Sequence, residues 1–214
     1  MAVNTTPVVT DDVSVIAAAT LARGSITGAT LDLRTCIGAW LFPKIGRGGT
    51  TAISGGNTVG VRFKVHRVIN NGTAVGGGMV NPVIDLVGQT AAAASTTVAT
   101  TSNAGQNQIP STSGTSFVAD DWCCVQDSGG GVTRLEFLKL SVLATNLMSF
   151  DYNLAFQHTS VQADTIRNKA DVFAPIWLDG GSLYYAVFDY GQATGGDTAT
   201  VVCLGQTLTS LITQ

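Results

Sequence analysis

The sequence predicts an all-β fold, an antiparallel sandwich or barrel, and three observations predict it. Apolar and polar residues alternate with period two, most clearly from Val59 to His66. Turn signals built on Gly, Asn, Asp and Ser recur about every ten residues. Thr, Val and Gly are abundant, as pleated strands and tight turns require, whereas helical periodicity is scarce. A chain of 214 residues is the right size for one domain.

In chain order, residues 1–12 read as an extended N-terminal arm and Val13–Ala18 as a strand. Ala17–Leu21 also admits a helical reading, because alanine favours helices. Leu31 to Phe42 is a second apolar candidate strand, ending at Pro43. Its run Ala39-Trp40-Leu41-Phe42 lacks alternation, so both sides need cover, from the fold or from a partner. Gly46–Gly49 is a loop and Gly55-Gly56-Asn57 a turn. In the next strand Val59, Val61, Phe63 and Val65 share one face, with Arg62, Lys64 and His66 on the other. Asn70-Asn71-Gly72 turns the chain again, which makes Leu31 to Ile69 a strand–turn–strand unit.

Further strands are expected at Val83–Val87, Phe117–Val125, Val132–Leu143, Phe150–Phe156, Leu183–Tyr190 and Thr198–Leu204. Asp127–Gly131 and Gly191–Asp197 supply loops between neighbours. Thr159–Asp171 is the one short helix expected, with Thr159 as cap and Val161, Ile166 and Ala170 as a rough stripe. No charge occurs from Leu86 to Ala119. Residues 88–116 therefore read as a long loop or insertion, either a solvated linker or a stretch ordered against another subunit. No repeat of 20–50 residues appears, and residues 1–214 read as a single domain.

Composition narrows the function. At 45% hydrophobic the chain can build a core. Only 12% of residues are charged, about half the roughly 25% usual in soluble proteins. Eleven bases against fourteen acids give −3, which argues against nucleic-acid binding. No 18-residue apolar run is present to span a membrane. The N-terminus lacks a basic region, its first cation being Arg23, which argues against a secretory signal. Cys36, Cys123, Cys124 and Cys203 contain no CxxC, so buried free thiols are expected rather than zinc ligands, with one disulfide left open.

Charge is unevenly spread. Residues 33–84 carry Arg34, Lys44, Arg47, Arg62, Lys64 and Arg67 with no acid, whereas 71–214 hold four bases and eleven acids. This suggests either a solvated strand face or a basic patch awaiting an acidic partner. Trp40, Phe42, Trp122 and Trp177 read mainly as core, with one or two as interface anchors.

Catalytic patterns are weak. No G-x-S-x-G is present, and His158 beside Ser160 and Asp151 reads as a solvated or hydrogen-bonded strand-end residue. Asp11-Asp12 and Asp120-Asp121 are adjacent pairs whose side chains diverge on a strand. Glu136, the only Glu, sits between Arg134 and Lys139 and reads as part of a solvated face. The Gly-rich runs lack phosphate-loop spacing, and no calcium loop occurs.

Two stretches carry a resemblance. Leu31-Asp32-Leu33-Arg34, Gly38-Ala39-Trp40-Leu41, Lys44-Ile45-Gly46-Arg47-Gly48-Gly49-Thr50 and Val59-Gly60-Val61-Arg62 form the first. Leu183–Tyr190, Ala193–Asp197 and Ala199–Cys203 form the second. Together they resemble the opening and closing segments of tailed-phage head decoration, or cement, proteins. The resemblance implies an antiparallel β-sandwich, jelly-roll-like, in a non-enzymatic virion protein without cofactor or metal. It implies binding to the outer surface of the major capsid protein shell, as a homotrimer, after synthesis in the host cytoplasm. No membrane or direct nucleic-acid contact is expected. Val3, Thr5, Pro7, Trp40, Phe42, Lys44 and Arg47 are the candidate contacts, the arm being able to pair with a neighbour's sheet edge. A neck or tail component, or a carbohydrate- or receptor-binding β-module, is the alternative.

Overall fold

Strands in this chain pair mostly with partners distant in sequence, and they assemble three antiparallel sheets. The computed structural model describes residues 6–9, 13–21, 24–47, 61–68, 82–89, 91–127, 134–191 and 199–211. The strands are β1 (Thr6–Val9), β2 (Val13–Leu21), β3 (Gly24–Asp32), β4 (Gly38–Arg47), β5 (Val61–Val68), β6 (Ile84–Val87), β7 (Ser95–Thr97) and β8 (Gln108–Pro110). They continue with β9 (Trp122–Gln126), β10 (Leu135–Ala144), β11 (Leu147–Phe150), β12 (Thr165–Arg167), β13 (Asp171–Val172), β14 (Ile176–Asp179), β15 (Leu183–Tyr190) and β16 (Ala199–Leu211).

The first sheet is built around β16. One edge of β16 pairs with β4, and the other takes β2 and then β1. The far edge of β4 takes β14 and β13. The second sheet runs β3-β15-β5-β6. These two sheets share one core, with Leu41, Ile45, Val201 and Cys203 from the first and Phe63, Val65, Phe188 and Tyr190 from the second. The fold is thus a β-sandwich, as the alternating strands predict. At one corner β3 crosses close to β2. A Cβ on Gly28 would collide with the Val15 carbonyl oxygen, so only glycine lets the two backbones approach there.

The third sheet, β7-β12-β9-β10-β11-β8, lies between β6 and β13 in the chain and has its own core. Ile109, Cys123, Val125, Leu140, Met148, Phe150 and Ile166 are its fully buried members. The chain leaves and re-enters the sandwich at one point, where the Gln89 backbone N–H donates to the Asp171 carboxylate at 3.2 Å. A small cluster of Cys124, Phe137 and Ala170 joins this lobe to the sandwich through Val202. The stretch 88–116 therefore opens a second lobe that runs on to Arg167, and its β7 and β8 pair within the chain. The N-terminal arm behaves likewise: β1 pairs with β16 of its own sheet.

Several expectations are corrected. No helix occurs among the described residues. In place of Thr159–Asp171 the chain makes one turn and then β12, held between β7 and β9. The Asp164 carboxylate accepts the Thr159 N–H, the Thr159 hydroxyl accepts the Val161 N–H, and Ala163 adopts a φ of 53°. Side chains thus take the amides that a helix would need, and a left-handed residue stops it. Ala17–Leu21 is strand, not helix. Leu31–Phe42 is broken by a turn over 33–37, and Phe150–Phe156 leaves the sheet after Phe150. Residues 117–121 likewise turn before β9 begins.

Candidate assembly surface

The unalternating run in β4 resolves once the strand is placed. Ala39, Leu41, Pro43 and Ile45 point into the sandwich and are buried. Trp40, Phe42 and Lys44 take the opposite, outward face. Across the ladder Trp40 sits opposite Gln206, Phe42 opposite Leu204 and Lys44 opposite Val202. Trp177 of β14 lies opposite Trp40 on the other side, with the rings edge to face at 5.1 Å. The result is an apolar strip on the outer face of a sheet. Trp40 remains 43% exposed and Leu204 37%. Single exposed apolar residues are ordinary, whereas these lie side by side on one face.

The strip runs into a cleft of about 300 Å³ between the lobes, lined by Phe42, Lys44, Leu135, Phe137, Val202, Leu204 and Gln206. Lys44 Nζ stands 5.8 Å from the Phe137 ring centroid, a cation–π distance. It is the one charged side chain lining an otherwise mostly apolar cleft.

Of the sequence-predicted contacts, Trp40, Phe42 and Lys44 are brought together here. Arg47 ends the same strand opposite Ala199, and Pro7 lies in β1 opposite Ser210. Val3 and Thr5 lie outside the described residues. The second wall, Leu135 and Phe137 from β10 with Val202 and Leu204 from β16, went unrecognised in the sequence. Its residues lie about ninety to over a hundred and sixty positions from β4 and carry no linking period.

The basic segment does not form one patch. Lys44 belongs to the first sheet, whereas Arg62, Lys64 and Arg67 belong to the second. Arg34 pairs with Asp32 at 2.6 Å, Arg62 with Asp85 at 3.3 Å and Lys64 with Asp189 at 2.5 Å. Arg67 donates to the Ser182 hydroxyl at 2.8 Å. The acidic partner sought for these cations is thus largely the same chain. The four aromatics read as core are also corrected: Trp40 is exposed, and Phe42, Trp122 and Trp177 are only half-buried.

Glu136 is corrected most, for it is not on a solvated face, and His158 takes the hydrogen-bonded alternative of its two readings. His158 is completely buried, and Glu136 is nearly so. His158 Nε2 lies 3.1 Å from Glu136 Oε1, and Nδ1 lies 3.2 Å from Asp164 Oδ2. Glu136 also accepts the backbone N–H of Ala155 at 2.9 Å and of Phe156 at 2.7 Å. Burial is the largest single effect on the imidazole and opposes its charge. The hydrogen bonds and attraction of Glu136, then of Asp164, outweigh it and raise its pKa above 6.5. Burial likewise opposes the Glu136 charge, but His158 and the two amides hold its pKa below 4.5. Both ring nitrogens are engaged, and the ring has no access to solvent. The adjacent acids Asp120 and Asp121 diverge, to Lys139 at 2.6 Å and Lys169 at 2.5 Å. All four cysteines are free thiols. Burial pushes Cys123 and Cys203 up to about 12 and Cys124 to about 11.

No family model matches the chain, and no curated protein matches it. Among solved structures the chain is similar to VP17, a capsid protein of bacteriophage P23-77, at 10% identity. That alignment covers 97% of this chain and 99% of the other, with a TM-score of 0.22. At that score the likeness is too loose to superpose strand on strand, and it assigns no role.

Proposed function

We propose that this chain is a structural subunit of a tailed-phage virion, and specifically a head decoration protein that binds the outside of the major capsid shell as a homotrimer. The observation that carries this reading is the outward apolar strip of Trp40, Phe42 and Leu204 leading into the cleft. Two segments resembling decoration proteins support it, as does a surface poor in charge. The role is mechanical rather than catalytic. A lasting contact needs on the order of 1,000 Å² or more of buried surface, and an exposed sheet face can supply that where a pocket cannot. Lys44 at the cleft suits a carboxylate on the capsid partner.

The test is binding to undecorated capsids, read by sedimentation. Wild-type protein is expected to co-sediment in hundreds of copies, and Phe42→Asp or Leu204→Asp to stay in the supernatant while remaining folded. Equal co-sedimentation of folded variants overturns the strip as the contact. Six or twelve copies at one vertex in a particle reconstruction would assign a neck or tail component instead. A second reading has its own observation. The 151–157 loop exposes Tyr152 and Phe156 together with Asn153 and Gln157, a set suited to stacking on and hydrogen bonding a sugar. Glycan binding lost in Tyr152→Ala but kept in Phe42→Asp would favour a carbohydrate-binding module.

A further inference from the structure

We propose that Glu136, His158 and Asp164 form a proton-operated latch that holds residues 155–164, with the exposed Phe156 and Val161, in one shape and opens when the imidazole loses a proton. The segment starts just after Leu154, which is anchored in the core of the inserted lobe. It ends at β12. Between these points the latch takes three backbone amides, while backbone bonds to Ser102 and Val98, side-chain bonds with Asn103 and Thr101, and the Arg134 guanidinium over the Phe156 ring at 5.3 Å hold the rest. Glu136 takes the amides of Ala155 and Phe156, one on each carboxylate oxygen. Asp164 takes the amide of Thr159 on the same oxygen that faces the His158 ring. The third element against the ring is the segment at Ser102, which exchanges two backbone hydrogen bonds with His158, each 2.9 Å. It brings no charge. The groups that decide the proton are therefore Glu136 from β10 and Asp164 before β12.

The geometry suits two protons on the ring. A carboxylate stands within hydrogen-bond distance of each nitrogen, and a carboxylate accepts but does not donate. If one proton passes to solvent base, a nitrogen lone pair faces a carboxylate oxygen across about 3 Å, in a site without water access. The carboxylates then lose the cation between them, and like charges remain buried together. Ala163, held at a φ of 53°, adds backbone strain that opening relieves. The inference does not depend on which partner the loop meets. It says that the loop surface at Phe156 and Val161 keeps one shape while the imidazole is charged and loosens once it is neutral.

The test is amide exchange and imidazole nitrogen shifts by NMR on the whole chain from pH 5.5 to 9.5, with intrinsic exchange corrected. Protection at Ala155, Phe156 and Thr159 is expected to fall as His158 titrates. The fall is about tenfold for every pH unit separating the closed and open titration points. Protection at Leu138 and Met148 in the lobe core stays higher throughout and follows the global stability that the urea midpoints report. The latch is overturned if His158 does not titrate in this range, if it titrates with the three amides unchanged, or if the three amides exchange only by global unfolding, with the same protection as the core amides. Glu136→Gln keeps the shape and removes a charge, so His158 is expected to titrate at lower pH. An unmoved titration in that variant also overturns the proposal.

Discussion

His158 is where a single atom's charge has the widest reach in this molecule. A raised imidazole pKa stabilises the fold fully below the unfolded value of 6.5 and stops doing so as pH rises through the folded value. A depressed Glu136 pKa stabilises above 4.5 and fails as pH falls through the folded value. Between about 4.5 and 6.5 both contributions are in place. Urea midpoints measured from pH 4 to 9 are therefore expected to peak in that window and to flatten in Glu136→Gln. His158→Ala leaves two buried carboxylates without their cation and should cost about 3–5 kcal/mol, checked by the same titration. The thiols offer a second residue-scale test. Cys123, Cys124 and Cys203 are buried with their pKa values pushed up, whereas Cys36 is only half-buried. Native protein treated with iodoacetamide should show Cys36 alkylated first by mass spectrometry, with the other three reacting after denaturation.

At the scale of elements, local patterns were legible wherever one face of a strand meets the chain's own core. Val61, Phe63 and Val65 alternate because β5 is buried on one side only, and β15 is bounded at Leu183 and Tyr190 as its residues predict. The run over 39–42 announced itself as two-sided, and β4 does set Trp40, Phe42 and Lys44 on its outward face. What stayed hidden depends on tertiary placement. The cleft's far wall comes from β10 and β16. The latch joins residues 22 and 6 positions apart through side chains, with no period to betray them. The turn at 159–164 imitated a helix, since Thr159, Ile166 and Ala170 fit both a cap and a stripe. Only the contacts of Asp164 and the left-handed Ala163 decide against it. That residue gives a prediction with a definite sign. Ala163→Gly removes the Cβ penalty of a positive φ and should raise stability by up to about 1 kcal/mol in thermal unfolding, less the glycine's greater unfolded entropy. Gly28→Ala, at the crossing of β2 and β3, should lower it by about 1–3 kcal/mol.

Taken whole, the molecule is a sandwich carrying a second lobe whose two ends meet at Gln89 and Asp171. Because each lobe buries its own core, replacing residues 91–169 by a short Gly/Ser linker should leave a folded sandwich. Retention of β-sheet circular dichroism and one cooperative melt would confirm it, and a molten product would show that the Cys124–Phe137–Ala170 contact is indispensable. The excised sandwich keeps the Trp40–Leu204 strip but loses the β10 wall of the cleft. If the proposed capsid binding holds, its affinity for capsids measures how much of that binding belongs to each lobe.

The place of β16 sets a timetable for biosynthesis. This strand lies at the centre of the first sheet, between β4 on one side and β1 and β2 on the other, yet it follows every other described strand in the chain. On a ribosome the inserted lobe, complete at Arg167, can close while translation continues. The earlier sandwich strands must wait beside it with an apolar side uncovered. Freshly made polypeptide is thus most exposed to chaperones and to aggregation in the interval before residues 199–211 emerge.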